Sequence, residues 1–267
     1  MSYWTEKVAV VTGASSGLGR QIATALAADG ASVVLAARDS TPLDAAAAEL
    51  AQSASRVIPV VADVTSQEQV DRLVQHTIDE FGRLDALVNC VGVSSRGRAI
   101  DTSPDDFARS MDINLLSSVR CTRAAAPHLL QARGHLVNIG SLSGKTASRY
   151  LGAYPASKFA LTAYTQQLRL ELGPEGLHVL LVLPGPIARD DAGFRYADQA
   201  ADLPATARQP GGGVKLKGID PRKLAGRILR ACERRRAELI VPGRARLLFA
   251  LQQLSPRLGD WILRRMT

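Results

Sequence analysis

One stretch restricts the fold of this chain more than any other. Residues 7–11 form a short apolar run, and Thr12-Gly13-Ala14-Ser15-Ser16-Gly17-Leu18-Gly19-Arg20 follows it directly. Beyond the glycines, Leu18, Ile22, Ala25 and Leu26 recur at helical spacing up to Asp29-Gly30, which predicts strand, tight turn and helix in that order. Glycine permits a turn too sharp for a side chain, and the N–H groups that open a helix have no partner within it. Together they form a cradle for phosphate, the arrangement at the first crossover of dinucleotide-binding sheets. The spacing here is Gly-x-x-x-Gly-x-Gly. Gly13, Ser15, Ser16, Gly17, Leu18 and Gly19 are therefore the first candidate cofactor residues.

The alternation continues along the chain. Strands are expected at residues 31–37, 56–62, 84–91, 134–139, 178–183 and 238–241. Helices are expected at 41–53, 66–81, 104–130 (as one or two), 154–172 and 222–235. Strands interleaved with helices predict an α/β protein, a doubly wound parallel sheet covered on both faces, in a single domain over residues 1–243. Ligands on such sheets collect at the carboxyl ends of the strands. Gly13, Arg38, Asp63, Val64, Asn89 and Gly92 all fall at such ends. Arg38 follows Ala37 where an acidic residue would hold the adenosine ribose 2′-hydroxyl. An arginine there can grip a 2′-phosphate bidentately, so the expected cofactor is NADP and not NAD.

Tyr154-Pro155-Ala156-Ser157-Lys158 carries the candidate chemistry. On a helix, four positions return two side chains to one face. A nearby ammonium favours a phenolate, so Lys158 is expected to lower the Tyr154 pKa from its ordinary value of about 10. A tyrosine tuned that way serves as a general acid or base. Ser141 lies thirteen residues before Tyr154, one loop away.

With these residues in place the chain resembles the short-chain dehydrogenase/reductase family, over nearly all of residues 5–242. Residues 12–19 look like the family's cofactor turn, and Asp63 like its adenine-contacting aspartate. Asn89-Cys90-Val91-Gly92 falls on the family's Asn-Asn-Ala-Gly and departs from it at two positions. Asn114, Ser141, Tyr154 and Lys158 fall on the catalytic tetrad. Pro184-Gly185-Pro186-Ile187 is similar to the loop that holds the nicotinamide amide, and Arg189 stands where the family usually has a threonine. The resemblance implies that Tyr154 donates a proton to a carbonyl oxygen held by Ser141. It further implies that Lys158 holds the nicotinamide ribose, that Asn114 positions a water, and that the chain pairs into a homodimer or tetramer.

Charge separates the ends of the chain. Residues 1–204 carry 18 Lys and Arg against 21 Asp and Glu, whereas residues 205–267 carry 15 against 4. Aromatics are too sparse for nucleic-acid stacking platforms, so no nucleic-acid partner is expected. Cys90, Cys121, Cys232 and the four histidines show no metal or redox spacing, and no metal is expected. No apolar run is long enough to span a bilayer and no leader pattern opens the chain, so a cytoplasmic location is expected. Residues 188–219 lose periodicity and are expected to form a substrate lid. Residues 244–267 form a basic amphipathic tail, with Ser255-Pro256 as a fresh helix start. The tail fits peripheral contact with an anionic membrane, or else a cover for the substrate cleft or a neighbouring subunit. Three functions stay open: an NADP-dependent oxidoreductase on a carbonyl/alcohol pair, a non-redox dehydratase or epimerase of the same fold, and a cofactor-binding partner protein.

Overall fold

In a computed structural model of the chain, which describes residues 2–52, 56–189, 194–214 and 216–266, seven strands pair side by side. The strands are β1 (Val8–Thr12), β2 (Ser32–Ala37), β3 (Val57–Val61), β4 (Ala86–Asn89), β5 (His135–Ile139), β6 (His178–Pro184) and β7 (Glu238–Val241). Their order is β3-β2-β1-β4-β5-β6-β7, and every pairing is parallel. Strand order reverses between β1 and β4. A crevice opens at such a switch point because the crossovers on either side leave in opposite directions.

The apolar runs of the central strands become legible once both faces are covered. Ala9 and Val11 of β1 point into one core with Leu18, Ile22 and Leu26 of α1 (Gly17–Ala28) and Leu43 of α2 (Ser40–Leu50). Ile228 and Cys232 of α7 (Pro221–Glu233) complete that layer. Val10 points the other way, among Val70 and Leu73 of α3 (Gln67–Phe81), Ala125 and Leu129 of α5 (Ser117–Gln131) and Leu168 of α6 (Tyr154–Leu172). Period-2 alternation on a strand and period-3.6 spacing on a helix thus converge on two cores. Ile22 and Leu129 are wholly buried, so truncating either to Ala costs about 2–5 kcal/mol.

The expected helix at 104–130 is two α segments, α4 (Pro104–Met111) and α5, joined through a π-helical turn over Asp112–Leu116. The end of the expected helix at 41–53 includes Ser53, which lies outside the described residues; the described helix α2 ends at Leu50. In the segment 188–219, residues 190–193 and 215 lie outside the described residues. The rest holds three short 3-10 turns, Asp198–Ala200, Ala205–Arg208 and Pro210–Gly212, with Ala200 and Ala207 fully buried. The tail folds as two helices, α8 (Ala245–Leu254) and α9 (Pro256–Met266), meeting at Ser255. Ala245 and Phe249 pack on Leu181, Leu183 and Ile240, anchoring α8 to the sheet. A methyl group on Gly259 would meet Gln252 Cβ at 2.8 Å, so only glycine lets α9 approach α8 this closely.

Histidines that look scattered in sequence meet at the amino ends of β5 and β6. The Tyr3 hydroxyl is 2.7 Å from His135 Nε2, His135 Nδ1 is 2.8 Å from His178 Nδ1, and His178 Nε2 is 2.9 Å from the Arg236 carbonyl. A carbonyl only accepts, so His178 Nε2 carries the proton and its Nδ1 accepts from His135, whose Nε2 accepts from Tyr3. Cys232 Sγ lies within 4.8 Å of the cluster's ring nitrogens. These ring nitrogens are engaged by protons, and Arg235 and Lys7 are repulsive charges on His135. The cluster is a hydrogen-bonded relay between two neutral rings.

Candidate active site

A cleft of about 1050 Å³ runs along the carboxyl ends of the strands. Gly13, Ser15, Ser16, Gly17, Leu18, Gly19, Arg38, Asp63 and Val64 line one end of it, and Gly92 lines it beside Lys158. Ser141, Tyr154, Lys158, Pro184, Gly185 and Ile187 line the other end.

The first end has the form of an anion cradle. Gly13 and Gly17 take φ of 66° and 55°, values that favour glycine. A methyl group on Gly19 would stand 2.2 Å from the Gly13 carbonyl oxygen, so the turn closes on itself only without a side chain. No side chain caps the start of α1, and its first turn holds no acidic residue. Its N–H groups and the positive end of its dipole are left for a bound anion. These features fit the pyrophosphate of a dinucleotide. Asp63, at the end of β3, accepts from the Thr65 N–H at 2.9 Å and the Thr65 hydroxyl at 2.8 Å. Burial raises its pKa, but those bonds, with Arg38 and Arg120 nearby, hold it below the usual carboxylate range overall.

At the other end, Tyr154 opens α6 with Ser141 close enough to act on its phenol, and the Ser141 hydroxyl accepts from the Ser143 N–H at 3.1 Å. Burial raises the phenol pKa; the Ser141 hydroxyl and the Arg96 charge work against it without cancelling it. Lys158 is 3% exposed, and its Nζ donates to the Ile139 carbonyl at 3.0 Å. Burial lowers the ammonium pKa to about 8. Its Nζ stands 5.9 Å from the centre of the Tyr154 ring. The two side chains share the cleft, as the four-residue spacing predicts, but the expected electrostatics need correcting. Within the protein itself, the cation acting on Tyr154 is Arg96, and the tyrosine lies above its ordinary pKa. The lysine stem instead directs its ammonium to the carbonyl that ends β5.

Two of the expected residues do not line the cleft. Asn89 is 3% exposed inside the sheet, donating to Asn138 Oδ1 at 2.9 Å and Thr122 Oγ1 at 3.3 Å. It ties β4 to β5 and to α5. Asn114, 1% exposed, sits behind the cleft wall on the π-helical turn, a distortion that often marks functional sites. Its Oδ1 accepts from the Val93 N–H at 2.8 Å, and its amide donates to the Val93 carbonyl at 2.9 Å and to Ser157 Oγ at 3.1 Å. A methyl group on Gly92 would stand 3.1 Å from both Asn114 Oδ1 and Lys158 Nζ, so both side chains flank that glycine.

Arg96 is absent from the sequence expectations, because its partners are backbone carbonyls far along the chain. It is 7% exposed and lines the cleft. Its Nε donates to the Ala207 carbonyl at 2.6 Å and its Nη2 to the Gln209 carbonyl at 3.1 Å. Its own backbone N–H donates to Gln199 Oε1 at 2.9 Å. The tail also enters the site: Leu248, Leu251, Ile262, Leu263 and Met266 form an apolar wall of the cleft. The reading of residues 244–267 as a cover for the cleft thus has a structural counterpart.

A parallel sheet with its phosphate cradle at the switch point, facing a Ser-Tyr-Lys group across one cleft, defines an α/β oxidoreductase of the dinucleotide-binding type. The family model described as short chain dehydrogenase matches residues 7–199, and the chain belongs to the short-chain dehydrogenase/reductase family. An uncharacterised oxidoreductase of Staphylococcus aureus is 39% identical over 188 residues, 70% of this chain and 80% of that protein. A glycine betaine reductase of Emericella nidulans is 41% identical over 189 residues, 70% of this chain, but the match spans only 15% of that protein. Among solved structures, a short-chain dehydrogenase/reductase from Burkholderia phymatum in complex with NAD superposes with a TM-score of 0.84 at 26% identity, covering 97% of this chain and 96% of that one. A dehydrogenase/reductase from Sinorhizobium meliloti gives 0.75 at 29% identity, covering 88% and 93%.

Proposed function

We propose that this protein is an NADP(H)-dependent oxidoreductase that interconverts a carbonyl compound and a secondary alcohol. The observation that carries the reading is that Ser141, Tyr154 and Lys158 line the same cleft as the glycine cradle. A nicotinamide dinucleotide held by the glycine cradle would supply or accept the hydride there. The protein's own work is proton transfer and charge stabilisation. Tyr154 gives its phenolic proton to the carbonyl oxygen as negative charge grows there, and the Ser141 hydroxyl donates to that oxygen. Lys158, buried and cationic below a pH of about 8, holds ribose hydroxyls while its ammonium stays anchored on the Ile139 carbonyl. Asn114, fixed by its bonds to Val93 and Ser157, supports the cleft wall beside Gly92 from behind.

Choice of NADP rests on Arg38. It lines the cleft at the end of β2 and acts on Asp63 across it, where a guanidinium suits a 2′-phosphate. NAD in the Burkholderia relative's complex belongs to that protein. The test is a panel of carbonyl compounds and alcohols assayed with both nicotinamide cofactors by the absorbance of the reduced ring. Turnover of at least one carbonyl with NADPH is expected. No turnover with either cofactor, in protein that binds NADPH, overturns the reading.

A further inference from the structure

The α8–α9 hairpin has two apolar edges. The inner edge, Leu248, Leu251 and Ile262 among it, lines the cleft. On the outer edge Leu254 is 84% exposed, Leu258 41% and Trp261 51%. Leu247 belongs to both, lining the cleft while 67% exposed. Single exposed leucines are ordinary. Here, four of the twelve exposed large hydrophobics among the described residues fall on this one hairpin, and such a concentration marks an interaction surface.

Charge decides what fits it. Residues 244–266 hold five arginines and one aspartate, and Arg246, Arg257, Arg264 and Arg265 are all exposed. The Arg265 guanidinium lies 4.0 Å from the centre of the Trp261 ring. Two copies of so cationic a face repel each other, which disfavours a second chain as the occupant. An anionic bilayer offers negative headgroups and, just beneath them, hydrocarbon for the leucines and tryptophan. α9 packs chiefly on α8, so its outer side is left to face such a surface.

We propose that this hairpin docks the protein on an anionic lipid surface, and that an apolar carbonyl substrate passes from that surface by Leu247 into the cleft. The second clause rests on the oxidoreductase reading above; the first stands without it. Because the inner edge is apolar and continuous with the outer, a lipid-partitioned substrate need not cross water to reach Tyr154.

The test sediments the full-length protein with vesicles of phosphatidylcholine alone and of phosphatidylcholine with phosphatidylserine. Pelleting is expected only with the anionic vesicles, weakening as salt is added. Tryptophan emission should shift to the blue on binding through Trp261, since Trp4 is 1% exposed and already shielded. The paired replacement Leu254→Glu, Leu258→Glu should weaken vesicle binding at least tenfold. It should leave NADPH-driven reduction of a small water-soluble carbonyl unchanged, as neither side chain lines the cleft. A long-chain ketone carried in anionic vesicles should be reduced faster by the unaltered protein than by that variant. Equal pelleting with both vesicle types, no pelleting, or concentration-dependent dimerisation through this face in place of vesicle binding would each overturn the docking proposal. Lost vesicle binding with intact reduction of the soluble carbonyl removes the docking surface alone. Vesicle binding without any carbonyl reduction removes the oxidoreductase reading alone.

Discussion

The guanidinium of Arg96 lies 3.7 Å from the centre of the Tyr196 ring. With the bonds from the same side chain to the Ala207 and Gln209 carbonyls, this contact ties the segment over the cleft to the loop after β4. Lysine keeps the charge but cannot bridge two carbonyls and stack on a ring at once. Charge-assisted hydrogen bonds contribute about 1.5–3 kcal/mol each. Arg96→Lys should therefore lower kcat/KM roughly tenfold or more, mainly through KM, and speed limited proteolysis within 194–214. Unchanged KM and unchanged cleavage would show that Arg96 does not hold that segment.

Replacing Tyr154 by Phe removes the cleft phenol on which the Ser141 hydroxyl acts. The ring still fills its place, so NADPH binding should change by less than about threefold while kcat falls by a factor of about a thousand or more. Fluorescence titration with NADPH and single-turnover assays separate the two effects. A Phe variant that keeps its turnover would leave the proton-transfer scheme without its donor.

Arg38→Ala should act on one cofactor and not the other. Loss of a bidentate phosphate contact of about 2 kcal/mol would weaken NADPH binding roughly thirtyfold and leave NADH binding nearly unaltered. Dissociation constants for both cofactors, measured on both proteins, check this. Equal weakening of NADPH and NADH would mean that Arg38 serves the adenosine in general.

The His135–His178 pair should make the fold acid-sensitive. Burial, then the neighbouring His178 and the Arg235 and Lys7 charges, lower the His135 pKa to about 3, and burial lowers that of His178 as well. A histidine in an unfolded chain titrates near pH 6.5. Below that value the unfolded state binds more protons, so the stabilisation is complete above about pH 6.5 and is lost as pH falls toward the folded values. From pH 7 to 4.5 the His135 contribution alone should reduce stability by about 2–3 kcal/mol. Urea midpoints across that range provide the check, together with a His135 ring resonance that stays neutral in the folded protein at pH 5. Two rings that titrate near pH 6 in the native state would contradict the relay.

Much of the scaffold is readable before any coordinates because its signals are local. The run Val8–Thr12, the glycines at 13, 17 and 19, and the helical spacing of Ile22 and Leu26 lie within one stretch of chain. Each follows from backbone sterics and side-chain period alone. Lys158 and Tyr154 meet for the same reason, being one helical turn apart. Element ends are less legible: the residues flanking β4 and the π-helical turn at Asn114 depend on packing against the next layer, as do most helix and strand ends.

Residue type at short, regular spacing is enough to read the class of fold, the glycine turn after β1 and the return of Tyr154 and Lys158 to one helix face. Tertiary structure alone decided that Asn89 serves the sheet, that Arg96 stacks on Tyr196 and grips the chain at 207 and 209, and that His135 meets His178. It also decided that the basic tail turns one edge into the cleft and the other outward. Those outcomes depend on carbonyls and rings brought together from distant parts of the chain. A carbonyl is the same at every residue, so no pattern of side chains announces which one an arginine will find.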